Sequence, residues 1–387
     1  MQAANRSEFD TIVLGVGGMG SAACFELARR GQRVLGLEQF SLVHDHGSSH
    51  GESRIIRKAY FEHPDYVPLL HRAYERWHAL EHATGQELFS PTGLVLSGPP
   101  DGETIQGARH SANLHGLDLI DLTPAEACQR FPGMQFPADH AVAFEPGAGT
   151  LFVEQCVRAH LDEAVRHGAV LHEQEQVLNW SSDGQTIRVR TSVGEYRANH
   201  LVITAGAWAN ECLVDVGVAL TVLRKFVGWF PIQRAGEYSA ATGTPTYFFE
   251  LGQHTFYGFP SFDGTSLKMA EHSGGEPVAD RSRVDRECHP ADLDRLQSFL
   301  SAQLPGIGLK PVKHSACLYT MTSDQHFVVD RHPRWKNVAF AAGFSGHGFK
   351  FCSVIGEILA DLVTEGRASL PIEFLSLARP GLEFRPK

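Results

Sequence analysis

The 387-residue sequence predicts an α/β fold in which a β-sheet domain is inserted into a βαβ-type domain. Three observations carry that prediction. The chain opens on a strand, a glycine-rich turn and a helix. It closes on a second strand, glycine-rich turn and helix. Between residues 221 and 318 the pattern changes to short β runs. The length suffices for one large core or two smaller ones.

Residues 9–14 alternate into an apolar strand, and residues 18–30 follow as a helix whose Ala22, Ala23, Phe25, Leu27 and Ala28 give a small-residue packing surface. Arg29 and Arg30 sit at its C-terminal end, where cations are favoured, and Gly31 stops it. Residues 33–37 form the next strand and end at Glu38, completing a βαβ opening. Leu69, Leu70, Ala73, Trp77 and Leu80 have helical spacing, which predicts a helix over 66–81. A helix over 153–167 and strands near 186–190 and 196–203 follow. One amphipathic helix, near 291–304, interrupts the later β runs. Strand 338–342 leads through the last glycine-rich turn to a helix over 349–364.

Composition narrows the function. Thirty-four basic against 44 acidic residues give a net charge of −10, no electrostatic footprint for nucleic acid or an anionic membrane. No apolar run reaches the ~18 residues that a membrane span needs. Residues 1–7 lack the apolar core of a signal peptide, so the expectation is a cytoplasmic protein. Seven cysteines without a CxxC pair indicate neither a disulfide framework nor a zinc site, and no metal is expected.

Gly15-Val16-Gly17-Gly18-Met19-Gly20 fits G-x-G-x-x-G. The motif alone is weak, because a glycine-rich βα turn satisfies it. Here it follows a strand, opens a helix and has an acid, Glu38, at the end of the next strand, and together these point to a Rossmann-like dinucleotide site. Gly15 makes the turn, Gly17 lets the backbone approach pyrophosphate, and Gly20 allows helix–strand packing. The helix N-terminus meets the phosphates, and Glu38 can accept from a ribose hydroxyl, favouring FAD or NAD over NADP.

Four further motifs separate these cofactors: Gly51-Glu52-Ser53-Arg54-Ile55-Ile56-Arg57, Tyr257-Gly258-Phe259-Pro260-Ser261-Phe262, Cys317-Leu318-Tyr319-Thr320, and the run from Gly343 through Ser345-Gly346-His347-Gly348-Phe349-Lys350 to Phe351. With them the chain resembles, over nearly its whole length, the monomeric sarcosine oxidase and N-methyltryptophan oxidase family of flavin-dependent amine oxidases. The resemblance implies a Rossmann-like FAD-binding domain (8–92, 146–216 and 320–375), an inserted substrate domain (93–145 and 217–319) and a C-terminal tail (376–387), working as a monomer.

It also implies roles that local sequence does not. Cys317 alone reads as a buried structural thiol; by resemblance it carries the flavin as a thioether at the 8α-methyl carbon. His314 and Lys313 would favour its thiolate if they share the site, and strand alternation puts Tyr319 on the same face. Lys268 and His272 alone read as a solvated strand face; by resemblance Lys268 stands beside flavin N5, where a cation assists oxygen, and His272 lines the same substrate cavity. Arg57 and Lys350 are implied as a carboxylate clamp, Arg54 lies against the flavin ring, and Tyr257 with Phe248 completes the pocket. Gly346, His347, Gly348 and Lys350 are implied around the flavin, at the N-terminus of the last helix.

Two features depart from the family. Ser49-His50 replaces a His-His pair, and Phe248-Phe249 adds aromatic bulk. Both bear on the substrate pocket. The expected reaction is oxidation by oxygen of a small secondary or N-methylated amino acid, to an imine that hydrolyses and to hydrogen peroxide. An oxidase of a cyclic imino acid or a fructosyl amino acid, or a same-fold flavin dehydrogenase, shares these motifs. A nucleotide-binding regulator without catalysis is disfavoured by Arg57, Lys268 and Lys350 occurring together.

Overall fold

Three sheets organise the chain in the computed structural model, which describes residues 8–234 and 236–383. The expectation about residues 1–7 and the last four residues of the expected tail lie outside the described residues.

The first sheet is built on the opening βαβ unit. Its central strand Phe9–Leu14 runs parallel to Val34–Leu37 on one side and Glu195–Ile203 on the other, and Val338–Ala342 continues the parallel set beside Glu195–Ile203. Ile12 and Val13 are fully buried, one on each face, the mark of a strand covered on both sides. Each such side chain contributes roughly 1.5–3 kcal/mol by leaving water. The opening helix Gly18–Arg29 packs against the closing helix Cys352–Thr364 and against Val153–Arg166. Arg30 ends the opening helix and reaches Asp361 of the closing helix at 2.8 Å, tying the two ends of the chain together.

The second sheet has nine strands and holds the β-rich region. Thr221–Pro231 is paired with Lys313–Met321 along one edge and with Ser266–Glu271 along the other. Thr246–Leu251 lies parallel to Leu94–Gly98, so the segment before residue 100 joins the later strands. A three-stranded sheet of Ser53–Ile56, Phe89–Ser90 and Gly149–Phe152 lies outside both larger ones. The predicted helices appear as Tyr66–Thr84, Val153–Arg166, Pro290–Gln303 and Cys352–Thr364, the last preceded by a 3-10 turn, Phe349–Phe351, that carries Lys350. No helix among the described residues is long and apolar enough to cross a membrane.

Candidate active site

One cavity runs from the first glycine-rich turn to the last. Gly15, Gly17, Glu38, Arg54, Arg57, Phe248, Tyr257, His272, Cys317, Tyr319, Gly346, His347, Gly348 and Lys350 all line it. Of the residues singled out in the sequence, Gly20, His50, Phe249, Lys268, Lys313 and His314 are not part of its lining.

At the nucleotide end, a Cβ on Gly20 would overlap the carbonyl of Gly15, so only glycine lets the helix start this close to the strand. A Cβ on Gly17 would instead project past Ser49 Oγ at 3.9 Å, into room that a phosphate can use. Glu38 is 5% exposed. Its carboxylate accepts from Val16 N at 2.9 Å and Phe40 N at 3.2 Å, which holds it at the strand end beside the turn. These features fit a dinucleotide: a helix N-terminus for phosphate, a glycine that leaves space, and an acid at ribose distance along the sheet.

The thiol end is built by two strands. Cys317 and Tyr319 share a face of Lys313–Met321, two residues apart. Arg54, on strand Ser53–Ile56, donates to Ser53 O at 2.8 Å and Ser48 O at 2.7 Å, and its Nη2 lies 3.4 Å from Cys317 Sγ. The cation beside the thiol is therefore Arg54. The expectation for Lys313 and His314 is corrected: Lys313 pairs with Glu52 at 2.5 Å, over Trp229, and His314 stacks on Phe226. Alternation along the strand turns His314 away from Cys317, and Lys313 is a further two pleats distant.

Two cations stand at the far end. The Arg57 guanidinium lies between the rings of Tyr60 and Phe61, 4.2 and 3.9 Å from their centroids. Its Nη2 donates to both oxygens of Glu62 at 2.7 Å. Sequence reasoning missed Glu62, which also lines the cavity; its carboxyl is held down at about 2 by the neighbouring Arg57, against the opposing effect of burial. Lys350 Nζ donates to His347 O at 2.6 Å and lies 3.5 Å from Tyr60 OH. Burial, with Arg57 nearby, brings its pKa down to about 7. Burial likewise holds His347 near 4, hence neutral. Its Nε2 faces Gln325 O at 3.0 Å and so carries the proton, leaving Nδ1 to accept from Tyr60 OH at 2.5 Å.

The wall facing these cations is aromatic. Phe61 and Phe248 have centroids 5.1 Å apart, and Phe248 meets His272 at 5.8 Å. Burial pushes His272 down to about 3, and its Nδ1 lies 3.3 Å from Tyr319 OH. Tyr257 and Tyr319 are held well towards the neutral phenol by burial. The cavity thus holds Arg57, Lys350 and the ionised Glu62 at one end and is uncharged, with aromatic faces, along the side.

Lys268 lies on the same sheet face as Cys317 and Tyr319, on the far side of the Arg54 segment from His272. It lines a second cavity, with Trp229, Phe259, Phe262 and Glu154. Its Nζ donates to Gly51 O at 2.5 Å, Ser53 O at 2.7 Å and Ser53 Oγ at 3.1 Å. All three acceptors belong to the segment that carries Arg54, so Lys268 braces the wall between the two chambers. Burial and the nearby Arg54 push its pKa well down.

The model of the FAD dependent oxidoreductase family matches residues 10–362. The chain is 39% identical over 382 residues to monomeric sarcosine oxidase of Bacillus sp. (strain NS-129), covering 97% of this chain and 98% of that one. It is 34% identical to N-methyl-L-tryptophan oxidase of Yersinia pestis (strain Pestoides F), covering 96% and 99%. A structure of NikD, an unusual amino acid oxidase essential for nikkomycin biosynthesis, superimposes with a TM-score of 0.85 at 25% identity, over 95% of this chain and 96% of that one.

Proposed function

Because the chain belongs to the FAD-dependent oxidoreductase family, we propose that it oxidises a small N-methylated or other secondary amino acid with oxygen, releasing an imine and hydrogen peroxide. The observation that carries the reading is the single cavity joining the dinucleotide turn, the Cys317 thiol and the Arg57–Lys350 cation pair. The proposed division into an FAD-binding part (8–92, 146–216, 320–375) and a substrate part (93–145, 217–319) has the two meeting along this cavity, with residues from 376 as a tail.

Flavin, when bound, supplies the two-electron acceptor that returns electrons to oxygen. The residues of this chain do the rest. Gly15, Gly17, Gly20 and Glu38 hold the dinucleotide, and Gly346, His347 and Gly348 bring backbone to the flavin end. Cys317 is the proposed attachment point, with Arg54 Nη2 3.4 Å from its sulfur. Arg57 and Lys350 take the substrate carboxylate, so that the amine end lies among Tyr257, His272, Tyr319 and Phe248. That wall favours a neutral amine because it offers no carboxylate to an ammonium ion. With His272 and both phenols uncharged, the donor lone pair stays available. Lys268, held at three points behind the Arg54 segment, is the proposed cation for oxygen.

The enzyme is proposed to work as a monomer, the word in the relatives' names, and in the cytoplasm, where seven unpaired thiols suit a reducing environment. Oxygen uptake and peroxide formation across sarcosine, other N-methyl amino acids, proline, pipecolate and a fructosyl amino acid test the reading. One peroxide per N-methyl amine is expected. Turnover of amine with an artificial acceptor but not oxygen would make the protein a dehydrogenase instead.

A further inference from the structure

Lys225 is a buried lysine that the reaction above does not use. It is 4% exposed, on strand Thr221–Pro231, directly across from Cys317 in the antiparallel register. Side chains paired in this way share a face, and the ammonium lies 5.2 Å from the centroid of the Tyr319 ring. Its three donors are all spent on one turn: His272 O at 2.9 Å, Ser273 O at 2.6 Å and Gly274 O at 3.0 Å. The chain then wraps the lysine stem. Gly275 has φ +125°, and a Cβ there would meet Lys225 Cδ at 3.0 Å, so both the conformation and the approach require glycine. Glu271 and Arg295, paired with each other at 2.7 Å, are the other charges facing the ammonium, with Cys317 opposite. A lysine taken out of water to cap three carbonyls in succession fixes their positions, since none can leave without stranding a buried polar group.

We propose that Lys225 is a positioning residue of the substrate cavity: by capping the turn 272–274 it fixes the His272 ring against Tyr319 and Phe248. The inference rests on the proposed place of His272 in the cavity wall. The aromatic arc Phe248–His272–Tyr319 hinges on one residue just past the end of strand Ser266–Glu271, where His272 N still donates to Thr255 O at 2.7 Å but the carbonyls of the following turn have left the sheet ladder. Thr255 holds the N–H side of this turn, and Lys225 adds the restraint on its carbonyl side from the neighbouring strand, while its charge favours the neutral imidazole.

A double-mutant cycle on the flavin-loaded enzyme tests this. Lys225→Met keeps the stem and removes the donors. It is expected to lower kcat/KM for sarcosine at least ~10-fold, equivalent to ~1.4 kcal/mol, with flavin content and acetate affinity unchanged. In a His272→Ala background the same substitution should cost less than about twofold, because coupled residues are not additive. Gly275→Ala, which pries the turn off the stem, should reproduce the loss, and Lys225→Arg should partly restore it. Equal losses in both backgrounds, or no loss at all, overturn the proposal. If Lys225→Met does not fold, Gly275→Ala decides through the same cycle. If His272→Ala alone leaves turnover intact, the proposed role of His272 fails, and NMR of the labelled imidazole decides on Lys225. Lys225→Met must then raise the His272 titration, and an unmoved titration overturns the inference.

Discussion

Glu62 stands where an incoming carboxylate has to go. Both of its oxygens lie 2.7 Å from Arg57 Nη2, Tyr60 and Phe61 cover the guanidinium faces, and Nη1 is given to Ala59 O at 3.1 Å. A substrate can engage Arg57 only by displacing or sharing with Glu62. Removing that competitor without changing shape, Glu62→Gln, should therefore tighten the binding of a non-oxidisable carboxylate such as acetate. Hydrogen bonds to charged groups are worth about 1.5–3 kcal/mol, so the expected gain is about 10- to 100-fold in Kd. The opposite change, Arg57→Ala, should weaken binding by a similar factor with flavin content retained. The substitution at Glu62 also carries a stability cost. Its folded pKa is depressed to about 2, so it stabilises the fold above the unfolded value of about 4.5, and that contribution is lost as pH falls through 2. Glu62→Gln should thus lower stability at neutral pH by roughly 3 kcal/mol, from ~1.4 kcal/mol per unit, and flatten the acid limb of the unfolding profile. Flavin difference spectra read the Kd, and thermal unfolding against pH reads the stability. Acetate binding that is unchanged or weaker in Glu62→Gln refutes the competition.

Acid precipitation of the purified protein should leave the yellow colour in the pellet, while Cys317→Ser should fold and release its flavin to dialysis; free flavin from the unmodified protein would defeat the thioether. Lys350, with a pKa near 7, should make acetate affinity fall as pH rises through 7, with a slope of up to one log unit per pH unit, and Lys350→Met should abolish that slope. Lys268→Met should leave reduction by substrate nearly intact and slow reoxidation in air. An anion arriving at ~4 Å from the ammonium gains ~4 kcal/mol at an effective dielectric of 20, so a loss of about 10³-fold is expected, read by stopped flow. Equal reoxidation rates would leave Lys268 as a brace for the Arg54 segment alone.

Much of this was legible in residue pattern. The opening βαβ unit follows from period and punctuation, because strand, glycine turn, helix and terminal acid are contiguous. The helices over 66–81 and 291–304 showed in their apolar spacing. Helix Pro124–Arg130 was overlooked although its signal is present: Thr123 caps Glu126 N, and the Glu126 side chain returns to Thr123 N. What the sequence hid was proximity across the chain. Arg54 meets Cys317 over a separation of 263 residues, Lys225 caps a turn 47 to 49 residues away, and Lys268 reaches across to Gly51 and Ser53. Strand alternation names the side a residue faces but not the chamber it opens on. Glu62 was missed for a related reason: a lone acid five residues from an arginine has no periodic signature, and only the bend after Ile56 folds it back onto Arg57.

The central claim is that the cavity hands electrons from a secondary amino acid to flavin. Its most direct measurement is the visible spectrum of the purified yellow protein under strict anaerobiosis, on addition of sarcosine, N-methylated amino acids, proline and pipecolate in turn. The account predicts that at least one N-methylated amino acid bleaches the flavin band fully, and that admitting air restores it with one equivalent of hydrogen peroxide per chain. A spectrum that none of these amines changes, from protein whose flavin dithionite still reduces, would contradict it.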